Sequence, residues 1–227
     1  MDSLKKYLSE LPFAVSDEDE QRIRRERSLT VVKDWTMGLG NRLPKWPHAR
    51  WANDEWRTRL DRRMADGVKK WAPVRRDGTR YVADQSIVTL GESGYGKSTA
   101  LMAQIALMVS TFRKRAEAGE IISRLPSVLW VTEAELVQEQ RGYDSEKLDW
   151  ASEVEICILD ELGASNGHQA MTGAAPVVHS LITKRYDRGL RTCATSGMKR
   201  HELSNRYGAA VARRLFEASI VVEAWKV

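Results

Sequence analysis

The sequence predicts an α/β fold, with a central parallel sheet flanked by helices. Two observations predict it. Short apolar strands alternate with helices from residue 86 onward, the pattern that builds parallel strand–helix–strand crossovers. The first of these strands also runs into a glycine-rich turn that opens a long helix, at residues 91–98.

The elements follow in order. Ser86–Leu90 reads as a strand, and a helix is expected from about Lys97 to Ala118, stopped by Gly119. Ser127–Thr132 reads as a strand and Glu133–Glu139 as a short helix. Val154–Leu159 is a strand, Ala175–Arg188 a helix ended by Gly189, and Arg191–Ser196 a strand. A last helix covers about Ala209–Ala218 and a last strand Ser219–Glu223. Upstream, residues 1–15 form an amphipathic segment with Leu4, Tyr7, Leu8 and Leu11. Residues 16–27 are densely charged, acids first and bases later, which suits a helix dipole. Residues 41–50 carry two prolines and read as a linker. A helix is expected after Asn53, an N-cap residue, with Trp56, Leu60, Met64, Val68 and Trp71 on one face. Residues 72–85 are turn-rich.

With 227 residues there is room for one nucleotide-binding-sized domain and a small extension. No apolar run reaches roughly 18 residues, so no membrane span is expected. The start, MDSLKKYLSELPF, lacks the apolar stretch and cleavage site of a secretory leader, so a cytoplasmic protein is expected. The two cysteines, Cys157 and Cys193, sit in strand-like runs and read as reduced core thiols. Net charge is +5, and residues 1–85 hold all of the excess, 19 Lys+Arg against 14 Asp+Glu. Such a region can contact nucleic-acid phosphates or be a solvated face.

Residues 91–98 read Gly91-Glu92-Ser93-Gly94-Tyr95-Gly96-Lys97-Ser98, followed by Thr99, a full G-x-x-x-x-G-K-[ST] phosphate loop. Glycines let successive N–H groups turn inward to phosphate oxygens, and the helix start adds its positive end. Lys97 is expected on the β and γ phosphates and Ser98 on Mg²⁺. ATP or ADP with Mg²⁺ is the expected ligand. About 60 residues on, Ile156–Leu159 deliver Asp160 and Glu161 at a strand's C-terminal end, where ligands sit in open parallel sheets. Asp160 is expected to hold Mg²⁺ through water, and Glu161 to orient or deprotonate the attacking water.

At this point the sequence resembles the AAA+ ATPases of the DnaC/DnaI helicase-loader and IstB transposition-helper family. The matching segments are SVLWVTEAELVQE (127–139), ICILDELG (156–163), HSLITKRYDRGLRTCATSG (179–197) and YGAAVARRLFEASIVVE (207–223). The resemblance covers roughly residues 50–227. It implies an AAA+ ATPase domain over 45–227, without a large C-terminal lid, preceded by a partner-binding extension over 1–44. GESGYGKST is also similar to ABC nucleotide-binding subunits, but no LSGGQ-like signature lies between residues 100 and 156.

The resemblance places Arg214 on the family's arginine finger, with Arg213 as the alternative. Such a finger reaches a nucleotide held by a neighbouring subunit, so homo-oligomers with shared ATP sites are implied. Arg185 is expected near the same interface or on a solvated helix face. Where the family carries a sensor Asn, this chain has Gly197, which cannot position a water. Thr195 or Ser196 is left to substitute, or hydrolysis is slow. Through its N-terminal part the family grips a replicative DnaB-type helicase or, in transposition helpers, meets a transposase. Trp35, Trp46, Trp51, Trp56 and Trp71 lie among basic residues such as Arg62, Arg63 and Lys69. Trp56 and Trp71, on the apolar face, read as packing, while Trp35, Trp46 and Trp51 read as a surface for DNA, expected to be single-stranded, as a docking surface for a partner, or as core. An adaptor acting on proteins alone is the remaining class.

Overall fold

The computed structural model describes residues 16–40, 61–71, 86–141, 146–164, 168–217 and 219–226. The amphipathic segment of residues 1–15, the proline-bearing stretch 41–50, Trp46, Trp51, Trp56 and the turn-rich residues 72–85 lie outside them. The chain divides into two compact units.

The smaller unit combines the described part of residues 1–38 with 109–125. Its main element is α1 (Asp17–Gly40). Ser16 caps it, the hydroxyl accepting the Asp19 N–H at 3.1 Å. The acids Asp17, Glu18, Asp19 and Glu20 fill the first turn as expected. The bases do not close the helix, because α1 runs on well past Arg27 and has none in its last turn. Phe112 is fully buried here, with the Trp35 ring edge-on to it at a centroid distance of 5.6 Å. Buried Ser28 accepts the Ile122 N–H at 3.0 Å. Trp35 is therefore a packing residue of this unit.

The larger unit is built on a five-stranded parallel sheet. The strands are β1 (Ser86–Gly91), β2 (Val128–Thr132), β3 (Ile156–Leu162), β4 (Arg191–Ser196) and β5 (Ser219–Ala224). Their order is β2-β3-β4-β1-β5. All four pairings are parallel. Every residue of β1 is buried, which is why the run SIVTLG reads as continuously apolar rather than alternating. The helices are α2 (Arg62–Val68), α3 (Lys97–Glu117), α4 (Glu133–Arg141), α5 (Glu146–Glu153), α6 (His168–Asp187), α7 (Arg200–Tyr207) and α8 (Ala209–Phe216). Leu129, Val131, Leu136, Leu159, Val178 and Leu181 belong to one buried core cluster between sheet and helices.

Several expectations are corrected. The helix expected from Asn53 is not continuous through Met64. Asp61 is itself an N-cap, its carboxylate accepting the N–H groups of Arg63 at 2.9 Å and Met64 at 3.4 Å. Met64, Val68 and Trp71 are nonetheless buried as their spacing predicts. Gly67 lets α2 approach β5, since a Cβ there would lie 2.4 Å from a Val222 methyl. Helix α6 begins at His168, about two turns before the expected start, with Pro176 inside it. Helices α5 and α7 were not expected. Only Leu203 and Tyr207 of α7 are buried, too sparse a pattern to show.

Arg185 lies on no solvated face. It is fully buried, donating to the carbonyls of Ala151 (2.7 Å) and Val154 (2.8 Å) and to the Thr192 hydroxyl (3.1 Å). The carbonyls at the end of α5 are the physical reason, because a helix C-terminus attracts a cation. Burial lowers its pKa from the usual guanidinium value. Both cysteines are free and buried, and burial pushes the Cys193 thiol up to about 12.

Candidate functional site

The phosphate loop leaves β1 at Gly91. A Cβ at Gly91 would lie 2.3 Å from the Ala224 carbonyl oxygen, so the loop starts against β5 with room only for hydrogen. Gly94 (φ +88°) and Gly96 (φ +79°) take left-handed backbone, which glycine adopts without strain. Together with Lys97, Ser98 and Thr99 they line a cavity of about 450 Å³. Lys97 donates to the carbonyls of Gly91 (2.8 Å) and Glu92 (2.9 Å). Desolvation lowers its pKa, opposed by the negative charges of Asp160 and Glu161. The Tyr95 ring points elsewhere and carries the Arg63 guanidinium 6.0 Å from its centroid.

Asp160 is buried, 1% exposed. Its Oδ1 accepts the hydroxyls of Ser98 and Thr195, both at 2.6 Å, and its Oδ2 accepts the Trp130 indole N–H at 3.1 Å. An all-oxygen pair of a hydroxyl and a carboxylate fits Mg²⁺, a hard cation that keeps waters and phosphate oxygens for the rest of its shell. Phosphates fit the glycine-lined wall beside it.

Glu161 lines the same cavity. The acid pair lies at the C-terminal end of β3, which runs on to Leu162 rather than stopping at Leu159. Leu159 pairs with Ala194 and Leu162 with Ser196, so three residues of β3 span two of β4. That is a β-bulge, which redirects side chains. Glu161 has φ +58°, a left-handed conformation costing a non-glycine residue about 1 kcal/mol. Its N–H is held by the Thr195 hydroxyl at 3.0 Å.

Gly197, at the place of the sensor Asn, lines the cavity, and of the two residues left to substitute for it Thr195 does so too. Ser196 does not; its hydroxyl is buried on the Leu162 carbonyl at 2.6 Å. Arg213 and Arg214, on α8, do not line the cavity. Arg213 is exposed. Arg214 is half-buried, donates to Thr183 at 3.1 Å and lies 5.6 Å from the Tyr186 ring centroid. The basic residues described near Trp71 are largely paired: Arg62 and Lys69 with Asp66, and Arg63 with Asp61. Trp71 itself is 1% exposed and packs inside.

Sequence reasoning missed Trp130 and Glu133. The signal for Trp130 was parity: Thr132 pairs with Asp160 and Trp130 with Ile158, so both share the face of Asp160.

No protein-family model matches the chain, and no curated protein matches it. Solved structures do. A structure described as the DnaC helicase loader matches over 70% of this chain and 85% of its own, at 15% identity and TM-score 0.47. DnaI matches over 71% and 78%, at 22% identity and TM-score 0.46. A replication initiator DnaA bound to AMPPCP and single-stranded DNA matches over 71% of this chain and 44% of its own, at 15% identity and TM-score 0.45. The fold is of the AAA+ type. That statement stands on the chain's own topology: parallel order β2-β3-β4-β1-β5, a phosphate loop after β1 and an acid pair on β3. No described helix is long and apolar enough to cross a membrane.

Proposed function

We propose that the protein is an ATP-binding AAA+ switch that loads or recruits a replicative DnaB-type helicase onto DNA. The observation that carries the nucleotide part is the 2.6 Å contact of Ser98 with Asp160, beside a cavity that also holds Lys97 and Glu161. Lys97 exchanges the Gly91 and Glu92 carbonyls for phosphate oxygens. Ser98 and Asp160 would hold Mg²⁺, which would supply positive charge against the phosphates. Glu161 orients the attacking water. Gly197, lacking a side chain, makes the hydrolysis slow. The switch reading follows from that slowness.

Support for the helicase part is the register of four sequence motifs and the basic first third of the chain. In this reading residues 1–44 contact the helicase. The basic region contacts single-stranded DNA, and ATP brings copies of the chain together with Arg214 or Arg213 crossing into the neighbour's site.

Two experiments test this. Lys97→Ala should abolish tight ATP binding, and an unaltered affinity refutes the nucleotide site. Capture of a hexameric DnaB-type helicase by the full chain, with ATP, with ADP and without nucleotide, tests the partner. Capture of a transposase instead shifts the role to a transposition helper, and capture of neither sinks both. Salt-sensitive binding to single-stranded DNA, followed by anisotropy, separates these from a protein-only adaptor.

A further inference from the structure

The bulge that aims Glu161 into the cavity is closed by one hydrogen bond of its own, from the Ala164 N–H to the Glu161 carbonyl at 3.0 Å, and is otherwise held by its neighbours. Glu161 has positive φ, and so does Gly163 at +87°. The left-handed backbone at Gly163 disfavours any side chain there, and a Cβ would also displace Met198 Sδ, 2.3 Å away. Beyond that bond, three side chains fix the turn from outside. Thr195 accepts the Glu161 N–H, Ser196 donates to the Leu162 carbonyl, and Glu133 Oε2 accepts the Gly163 N–H at 2.8 Å.

Glu133 is the charged member of the three. It opens α4, is 1% exposed, and receives Arg206 Nη2 at 2.7 Å and the Tyr207 hydroxyl. Three donors converge on its two oxygens. A carboxylate can accept all of them, whereas an amide would turn N–H groups toward at least one donor. Burial, and then contact with Glu133, push the Tyr207 hydroxyl's pKa well up, so it stays a donor. The two α7 residues precede Gly208 (φ +91°), after which α8 begins with Arg213 and Arg214 in its last turn.

We propose that Glu133 is a positioning residue for Glu161: it clamps the Gly163 end of the bulge and ties it to α7. This rests on the proposed role of Glu161 in orienting water. A buried Glu–Arg pair that merely stabilised the fold would not discriminate between nucleotide binding and turnover. A positioning residue does.

The test uses the full chain and four readouts: kcat, KM for ATP, ADP affinity, and amide hydrogen exchange at residues 161–164. Glu133→Gln should lower kcat about tenfold or more, since small misplacements of a catalytic group cost that much. KM and ADP affinity should stay within about twofold, and the Gly163 amide should exchange faster. Tyr207→Phe should move kcat the same way by less. A folded Glu133→Gln with wild-type kcat overturns the proposal, as does a fall in kcat matched by equal loss of ADP affinity. If Glu133→Gln does not fold, Tyr207→Phe decides, and an unchanged kcat there overturns it. Glu161→Gln separates the two readings. If that variant hydrolyses at the wild-type rate, the role of Glu161 is wrong. If it is inactive while Glu133→Gln is unaffected, only the role of Glu133 falls.

Discussion

The indole N–H of Trp130 donates to Asp160 Oδ2 at 3.1 Å, so a core tryptophan on β2 orients the carboxylate expected to serve Mg²⁺. The opposite oxygen takes Ser98 and Thr195. Trp130→Phe keeps the ring in the core and removes that donor. A hydrogen bond to a carboxylate is worth roughly 1.5 kcal/mol. The magnesium concentration for half-maximal ATP binding should rise about tenfold, while nucleotide binding in EDTA stays unchanged. Titration of the variant with Mg²⁺ checks this, and an unshifted midpoint removes Trp130 from the site.

Arg214 is held in its own chain by the neutral Thr183 hydroxyl and the Tyr186 ring, with no carboxylate among its described partners, and its Nε is buried without a hydrogen-bond partner. Such a guanidinium can be withdrawn at small cost. Arg214→Ala should spare ATP binding but lose ATP-dependent assembly and turnover. Thr183→Val removes the same hydrogen bond and should retain both. If Thr183→Val behaves like Arg214→Ala, the arginine acts only within its own subunit. If Arg213→Ala alone loses assembly, the exposed neighbour is the finger. Sedimentation with a slowly hydrolysed ATP analogue reads all three.

Gly197 lies on the cavity wall with open space around it. The nearest atom to an added Cβ is the Gly91 carbonyl oxygen at 4.0 Å. Gly197→Asn should therefore fold and raise kcat about fivefold or more by supplying a side chain that holds water. Steady-state phosphate release measures it. A kcat at or below wild type would mean that Thr195 already fills the role and that slow hydrolysis has another cause.

Cys193 gives a pH dependence with a definite sign. Its thiol ionises near 9.0 when unfolded but is pushed up to about 12 by burial in the fold. The contribution to stability is whole below the unfolded value and is lost as pH rises from 9.0 toward about 12, because the unfolded chain releases the proton first. Cys193→Ala should thus lose less stability than the wild type between pH 8 and pH 10.5, measured by denaturant midpoint. Equal losses would show that other groups dominate in this range.

The phosphate loop, the strands and the acid pair were legible because each is a local pattern: a glycine spacing, a short apolar run, two acids after four apolar residues. What was not legible depends on register between distant strands. Nothing local to Asp160 names Trp130, and nothing local to Gly163 names Glu133, 30 residues away. The bulge was invisible for the same reason, since it exists only in the offset of Leu159 and Leu162 against β4. Arg185 reads as one more basic residue in KRYDR. Only the fold brings the Ala151 and Val154 carbonyls to it. Helix α7 escaped because two buried residues in eight make too faint a stripe.

The close seat of Gly91 on the Ala224 carbonyl bears on how the protein is made. Strand β1 is the earliest of the sheet to leave the ribosome, yet both its neighbours, β4 and β5, are translated far later. The glycine-rich turn therefore waits for β5 before its first residue has a wall to lean on. In the proposed reading, a growing chain would not bind ATP until β5 is threaded beside β1. Long-range pairing of this kind is slow and leaves apolar strands uncovered meanwhile. A nucleotide bound as proposed would favour only the assembled sheet and so would act as a latch on it.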